Sequence, residues 1–356
     1  MVLLKRLAIV ALLAPVAFEL TVRADDWVRF GVPLSSGATH IMDLRVADSL
    51  GRHARAGTTW RKFHINALGF RGPEVDPAAL ARRPLVMVTG ASETFGLYES
   101  AGREWPMQLA DSLASRCAAE PPVVLNAAFA GMSLPTVRQD LARRLLPMRP
   151  RVVIYYPQPA GYLYPKVPVP APAGEGAGEP LSPLAPRALP RLREDLKSII
   201  PDALLDLNRQ RSTVAQREAG DSLFPALPRE RLDSIEAHLR AMVGQVRAAG
   251  AELVLVVPQH GIGDSTSITG RRWLTAWESV VPKATGAMLL AFADSGAARV
   301  RRLAADSGVR LIDPPFPDGA AREAFYADPN HFTDRGSALL GGAGSAIVGR
   351  LLGCPR

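Results

Sequence analysis

Five short apolar runs constrain this chain more than any other feature: PLVMVTG (84 to 90), VVLNAA (123 to 128), RVVIYYP (151 to 157), ELVLVVP (252 to 258) and RLIDPP (310 to 315). Their apolarity is continuous rather than alternating, so each reads as a strand buried on both faces, and strands of that kind belong to parallel sheets. Each run also ends in or runs into Gly, Pro or Asn, which stops the strand and starts a turn. Helix-like stretches lie between them, at 103 to 117, 133 to 147, 228 to 249 and 290 to 307. Strands alternating with helices predict an α/β fold, a three-layer doubly wound sandwich around a five-stranded parallel sheet. Ligands of such folds sit beyond the carboxyl ends of the strands, so the residues just after each run are the ones to inspect.

At 356 residues, 47% hydrophobic and 21% charged, the chain has the make-up of a globular protein with a sizeable core. The net charge of +8 is scattered, with no basic stripe and no nucleic-acid motif. No GxxxxGK occurs, and no GxGxxG follows a strand, so a nucleotide phosphate loop is excluded. His40, His53, His64 and His238 lack the spacing of metal ligands, and no cofactor is expected. Trp105, Trp273 and Trp277 fit core positions better than a sugar site. Oligomeric state has no signature here.

The N-terminus reads MVLLKRLAIVALLAPVAF, with Lys5 and Arg6 ahead of an apolar run from Leu7 to Phe18. That is the layout of an export signal or a short membrane anchor over 1–24. The run falls short of the roughly twenty residues of a full span, Glu19 interrupts it, and Val22 with Ala24 offers a cleavage site. Cleaved and anchored forms both stay open. The expected location is the cell envelope or periplasm, with the membrane as a partner through this segment. Residues 25–80 form an extension containing INALGFRGPE, expected to pack on the core formed by 81–356. Residues 165–227 open with a Pro- and Gly-rich stretch and read as an insertion whose second half carries short amphipathic helices.

Three stretches at the predicted carboxyl edge carry chemistry. TGASETFG (89 to 96) follows the first strand. A serine on a tight strand-to-helix turn projects its hydroxyl outward, making Ser92 a candidate nucleophile; the plainer role is a helix N-cap. NAAFAGMS (126 to 133) follows the second strand, and there Gly131 lets a backbone N–H approach a substrate oxygen or simply makes a turn. DPNHFTDRG (328 to 336) precedes the last helix. If Pro329 opens a helical turn, Asp328 and His331 share a face and the acid orients the imidazole; otherwise Asp328 is a cap.

In order and location, GASETFG, NAAFAG and DPNH resemble the blocks of the SGNH/GDSL hydrolases, and the resemblance runs from about residue 66 to the C-terminus. INALGFRGPE is similar to the lead-in of their exported or membrane-attached bacterial members. The resemblance implies an SGNH- or flavodoxin-like sandwich. It also implies a Ser-His-Asp triad, with Ser92 as nucleophile, His331 as base and Asp328 as its orienting acid. Gly131 and the amide of Ser92 are then oxyanion donors, and the expected activity is hydrolysis of an ester through an acyl-serine. An O-acetylated envelope glycan or a small acylated molecule is the implied substrate. A catalytically silent glycan- or lipid-binding module and an O-acyltransferase are the alternatives.

Two departures stand out. Ala91 occupies a place that is often Asp, and the third block, Gly-x-Asn-Asp in the family, reads Pro157, Gln158, Pro159, Ala160. Loss of an oxyanion donor costs about 10²- to 10³-fold unless Gln158 or another amide replaces it. Gln259 and His260 follow the fourth strand and are weaker candidates for substrate contact. Of the two cysteines, Cys117 ends the first helix and Cys354 the last, so a disulfide is expected if those helices share a face.

Overall fold

A computed structural model describes residues 2–38, 40–163, 202–218 and 223–355. A long helix, α1 (Val2–Phe30), leads into two short hairpins, β1 (Arg45–Asp48) with β2 (Gly51–Ala54) and β3 (Thr59–Trp60) with β4 (Phe63–His64). A short helix α2 (Pro77–Arg82) precedes the main alternation. That alternation begins with β5 (Leu85–Thr89), α3 (Ser92–Phe95), α4 (Trp105–Arg116), β6 (Val123–Asn126), α5 (Leu134–Asp140) and β7 (Val152–Tyr155). It continues with α6 (Asp202–Glu218), α7 (Arg229–Ala248), β8 (Glu252–Val256), α8 (Ile268–Val280), α9 (Gly286–Ser307), β9 (Arg310–Ile312) and α10 (Asp334–Leu352).

The main sheet has five strands in the order β6-β5-β7-β8-β9, and every pairing is parallel. The fold is therefore the expected doubly wound α/β sandwich, in the flavodoxin-like order, with its switch point between β5 and β7. Side-chain alternation explains why the runs are apolar throughout. Leu85, Met87, Val153, Tyr155, Leu253 and Leu255 point into one core with Val137 of α5, Leu239 of α7 and Phe292 of α9. Val86, Val88, Ile154, Val254 and Ile312 point into the other with Leu109 of α4 and Leu340 of α10. Each such side chain contributes about 1.5–3 kcal/mol through burial, so both layers of helices are held to the sheet.

α4 and α10 lie side by side closely enough that a Cβ on Gly341 would come within 2.8 Å of the Leu109 amide nitrogen. The two helices end together, and Cys117 is joined to Cys354 by a disulfide across a Cα separation of 5.1 Å.

The extension packs Trp60, Phe63, Ile65 and Phe70 into the first core beside Phe95 and Phe129. Arg71 bridges in antiparallel fashion to Asn126 at the end of β6. In α1, which contains Pro15, the apolar side chains Ile9, Val10, Leu12, Leu13, Val16 and Leu20 are exposed. Among the described residues no helix is long and apolar enough to cross a membrane. The predicted insertion is seen in part: α6 falls in its second half, whereas 164–201 and 219–222, including the Pro-rich stretch, lie outside the described residues. α8 has no counterpart among the expected helices. Ser267 caps it by accepting from the Gly270 amide at 2.8 Å.

Candidate active site

Ser92 opens α3, directly beyond the carboxyl end of β5. The turn is tight enough that a Cβ on Gly90 would lie 2.3 Å from Thr94 Oγ1, which reserves that position for glycine. Asn126, at the end of β6, donates from its side chain to the Thr94 carbonyl at 3.0 Å and pins the same turn. Ser92 is half-buried. Its role is not that of an N-cap, since Ala91 holds that place.

His331 Nε2 lies 2.8 Å from Ser92 Oγ, across 239 residues of chain. His331 Nδ1 lies 2.7 and 2.8 Å from the two carboxylate oxygens of Asp328. The structure thus brings Ser92, His331 and Asp328 into one hydrogen-bonded line. The local geometry differs from the helical turn expected at Pro329. Residues 327–330 form a bend, in which Asp328 Oδ1 accepts the amides of Asn330 and His331 at 2.9 Å each. The following helix starts at Asp334, with Thr333 as its cap, so Asp328 caps the bend rather than the helix. Proline at 329 suits either conformation because it fixes φ alone. Pro329 O also accepts the Gly261 amide at 2.8 Å, tying this bend to the loop after β8.

Burial pulls the His331 imidazole down, but the hydrogen bond to Asp328 and its charge, with Glu93 and Glu99 behind, raise it net above its ordinary value. Burial alone would raise the Asp328 carboxyl; the His331 ring and the two amides hold it below its ordinary value instead. The pair is therefore set so that the acid stays ionised and the ring is a strengthened base.

Tyr98 was not foreseen. Its ring sits 5.4 Å from that of His331, centroid to centroid. Burial, with Asp328's charge and hydrogen bond to the phenol, pushes its hydroxyl up to about 12. Glu93, next to the serine, was also missed. Its carboxyl is buried and raised by that burial, and it accepts a hydrogen bond from Gln158 Nε2. Arg71 is the third residue missed in this role: buried, it donates to the carbonyls of Phe95 and Gly96 at the end of α3 and pairs with Glu104 at 3.3 Å. Acid next to a turn serine and arginine in an apolar run were the only sequence signals for the last two.

Gly131 lies in the loop between β6 and α5 with φ of +78°, a backbone setting that suits glycine, and a Cβ there would come within 3.9 Å of Met42 Cε. Gln259 donates from its side chain to Pro314 O at 2.8 Å, and His260 Nε2 lies 3.4 Å from Asp294. Both line a cavity of about 280 Å³ with Arg301 and Arg322. Among the described residues neither side chain is hydrogen-bonded to Ser92, Asp328 or His331. No group of three or more metal-ligating side chains occurs among the described residues.

No family model matches the chain, and no curated protein matches it. Solved structures do. A G-D-S-L family protein from Desulfitobacterium hafniense DCB-2 is 13% identical, with 74% of this chain and 99% of that one covered and a TM-score of 0.42. An acetylxylan esterase from Geobacillus stearothermophilus is 12% identical over 76% of this chain and 95% of its own, with a TM-score of 0.43. A lipase/acylhydrolase from Enterococcus faecalis is 16% identical over 76% and 96%, with a TM-score of 0.42.

Proposed function

We propose that this chain is a serine esterase of the SGNH/GDSL type. One observation carries the reading: Ser92 Oγ, the His331 ring and the Asp328 carboxylate stand in line at 2.8 and 2.7 Å beyond the carboxyl edge of the sheet. In the reaction, Ser92 Oγ attacks the ester carbonyl carbon while His331 Nε2 takes the hydroxyl proton. Asp328 keeps the remaining ring proton on Nδ1 and stabilises the imidazolium. The tetrahedral oxyanion collapses as His331 returns the proton to the departing alkoxide, leaving an acyl-serine. A water deprotonated by the same nitrogen then attacks the acyl carbon, releasing the acid and restoring the hydroxyl. The Ser92 and Gly131 amides are the backbone donors assigned to the oxyanion.

The substrate class in this reading is an O-acyl ester on an envelope glycan or a small acylated molecule, with no cofactor. An extracytoplasmic location belongs to the same proposal. It is supported by the Cys117–Cys354 disulfide, which persists in oxidising compartments, and by the basic, apolar start of α1. Exposed apolar side chains along α1 are the part offered to a membrane surface.

The test is the purified protein with p-nitrophenyl acetate and a fluorophosphonate probe, beside Ser92→Ala. Turnover and labelling in the parent, both lost in the variant, are expected. Labelling that persists in Ser92→Ala places the reactivity elsewhere, and an inert parent leaves a silent binding module. Product analysis with an added sugar acceptor separates hydrolysis from acyl transfer.

A further inference from the structure

The third family block lacks its asparagine, yet the sheet register delivers another amide to the same height. β5 and β7 are neighbours, and Thr89 pairs with Tyr155. Ser92 comes three residues after Thr89, and Gln158 three residues after Tyr155, so the two leave adjacent strands level with each other. The crevice between these strands is the switch point of the sheet, where ligands of doubly wound folds bind. Pro157 and Pro159 flank Gln158 and have no N–H, so Gln158 supplies the amide donors of this stretch, a backbone N–H and a side-chain NH₂.

That side chain is held. Gln158 Nε2 donates to Glu93 Oε1, and Glu93 is 3% exposed and bonded in sequence to Ser92. The other carboxylate oxygen of Glu93 has no hydrogen-bond partner among the described residues, so Gln158 is the side chain that satisfies this acid. The turn itself is fixed, because Pro159 packs so closely on α9 that a Cβ on Gly296 would fall 2.6 Å from the Pro159 ring. A side-chain amide nitrogen carries two hydrogens. With one given to Glu93, the other has a set direction, and Gln158 is half-buried, reachable from the crevice.

We infer that Gln158 Nε2 is an oxyanion donor in place of the missing asparagine, and that Glu93 is the positioning residue that aims it. The inference rests on the esterase reading and supplies what that reading lacks. When the ester carbonyl becomes tetrahedral, its oxygen accepts the second Nε2 hydrogen, while the first stays on the carboxylate. No proton leaves the amide.

The test is a double-mutant cycle on the full-length protein, with p-nitrophenyl acetate turnover and the rate of fluorophosphonate labelling as readouts. Gln158→Ala is expected to lower kcat about 10²- to 10³-fold with KM within about threefold, since a donor used only in the transition state is lost. Glu93→Leu, which removes the acceptor, is expected to lower kcat about tenfold by itself and to have no further effect in the Gln158→Ala background. Thermal unfolding checks that each variant folds; if Glu93→Leu does not, Glu93→Asp, which draws the carboxylate back by one methylene, takes its place in the cycle. An active parent whose Gln158→Ala variant stays within threefold overturns the inference alone. Equal losses from the Glu93 change in both backgrounds overturn the positioning role of Glu93. An inert parent overturns the esterase reading and this inference with it.

Discussion

Replacing Asp328 by asparagine tests the proposed triad at the point where geometry predicts the sharpest failure. Asp328 Oδ1 accepts two backbone amides, from Asn330 and His331, at 2.9 Å. An asparagine carbonyl can keep both, so the bend survives. The second carboxylate oxygen, 2.7 Å from His331 Nδ1, is replaced by an NH₂ group. Nδ1–H then faces a donor on one side and, on the other, only Oδ1 at 2.8 Å, which already accepts two amides, so the ring is driven to move its proton to Nε2. That tautomer points N–H at Ser92 Oγ, 2.8 Å away, and the base is gone. A triad in the wrong tautomer loses about 10⁴-fold in kcat, equivalent to about 5 kcal/mol of barrier at 1.36 kcal/mol per decade. The assay is p-nitrophenyl acetate turnover beside thermal unfolding, and the unfolding midpoint is expected to move little. pH supplies a second readout. His331 must be neutral to accept the serine proton, and its pKa is raised, so activity in the parent falls on acidification through a midpoint above 6.5. Neutralising Asp328 removes the largest causes of the increase and leaves burial against the weaker pull of Glu93 and Glu99, so the residual activity of the variant survives to lower pH. A variant within tenfold of the parent, or a parent profile flat between about pH 5 and 8, refutes the assignment of His331 and Asp328.

Further variants probe the supporting structure. Tyr98→Phe removes the phenol that bonds Asp328 and is expected to cost about fivefold in kcat, one hydrogen bond's worth; an unchanged kcat removes Tyr98 from the positioning set. Cys117→Ser with Cys354→Ser opens a link spanning 237 residues and is expected to lower unfolding free energy by about 2–4 kcal/mol in urea titrations, with unchanged stability as the refuting result. Gly90→Ala places a methyl 2.3 Å from Thr94 Oγ1 and is expected to cost about 1–3 kcal/mol of stability together with activity, partly restored by Thr94→Ala; an equally stable and active Gly90→Ala shows that the turn can give.

Much of this fold was legible because two-sided burial leaves a continuous apolar record. Every expected strand is present, trimmed at its ends, as in Val152–Tyr155 within the run 151 to 157. The expected helix at 228 to 249 is Arg229–Ala248, while that at 290 to 307 begins earlier, at Gly286, where Thr285 caps it. The helix Ile268–Val280 left little trace because it buries only Gly270 and the side chain of Trp277. Ser92, Asp328 and His331 could be found from the turns they occupy. Arg71 and Glu93 could not, because their partners are a pair of carbonyls 24 and 25 residues away and an amide 65 residues away. The pattern of hydrophobic residues says which face a side chain takes, and nothing about such polar pairings.

Those unreadable contacts explain how residues so far apart in sequence hold a fixed distance. A buried guanidinium is tolerated only with its donors satisfied. Arg71, 3% exposed, uses them on the carbonyls that close α3 and on Glu104, while the rings of Phe63 and Phe95 lie 4.8 and 4.7 Å from its carbon. The extension thereby grips the Ser92 turn from one side. From the other side, α10 grips the stretch that follows: Asp334 accepts the Ser100 amide at 2.7 Å, and Ser337 donates to Glu99 at 2.7 Å. Lys62 of the extension donates to the Glu99 carbonyl at 2.7 Å, so both clamps meet on the same few residues. α10 starts three residues after His331. The serine turn and the histidine bend are thus fastened to one scaffold, and the 2.8 Å between hydroxyl and imidazole follows from contacts that neither residue makes itself.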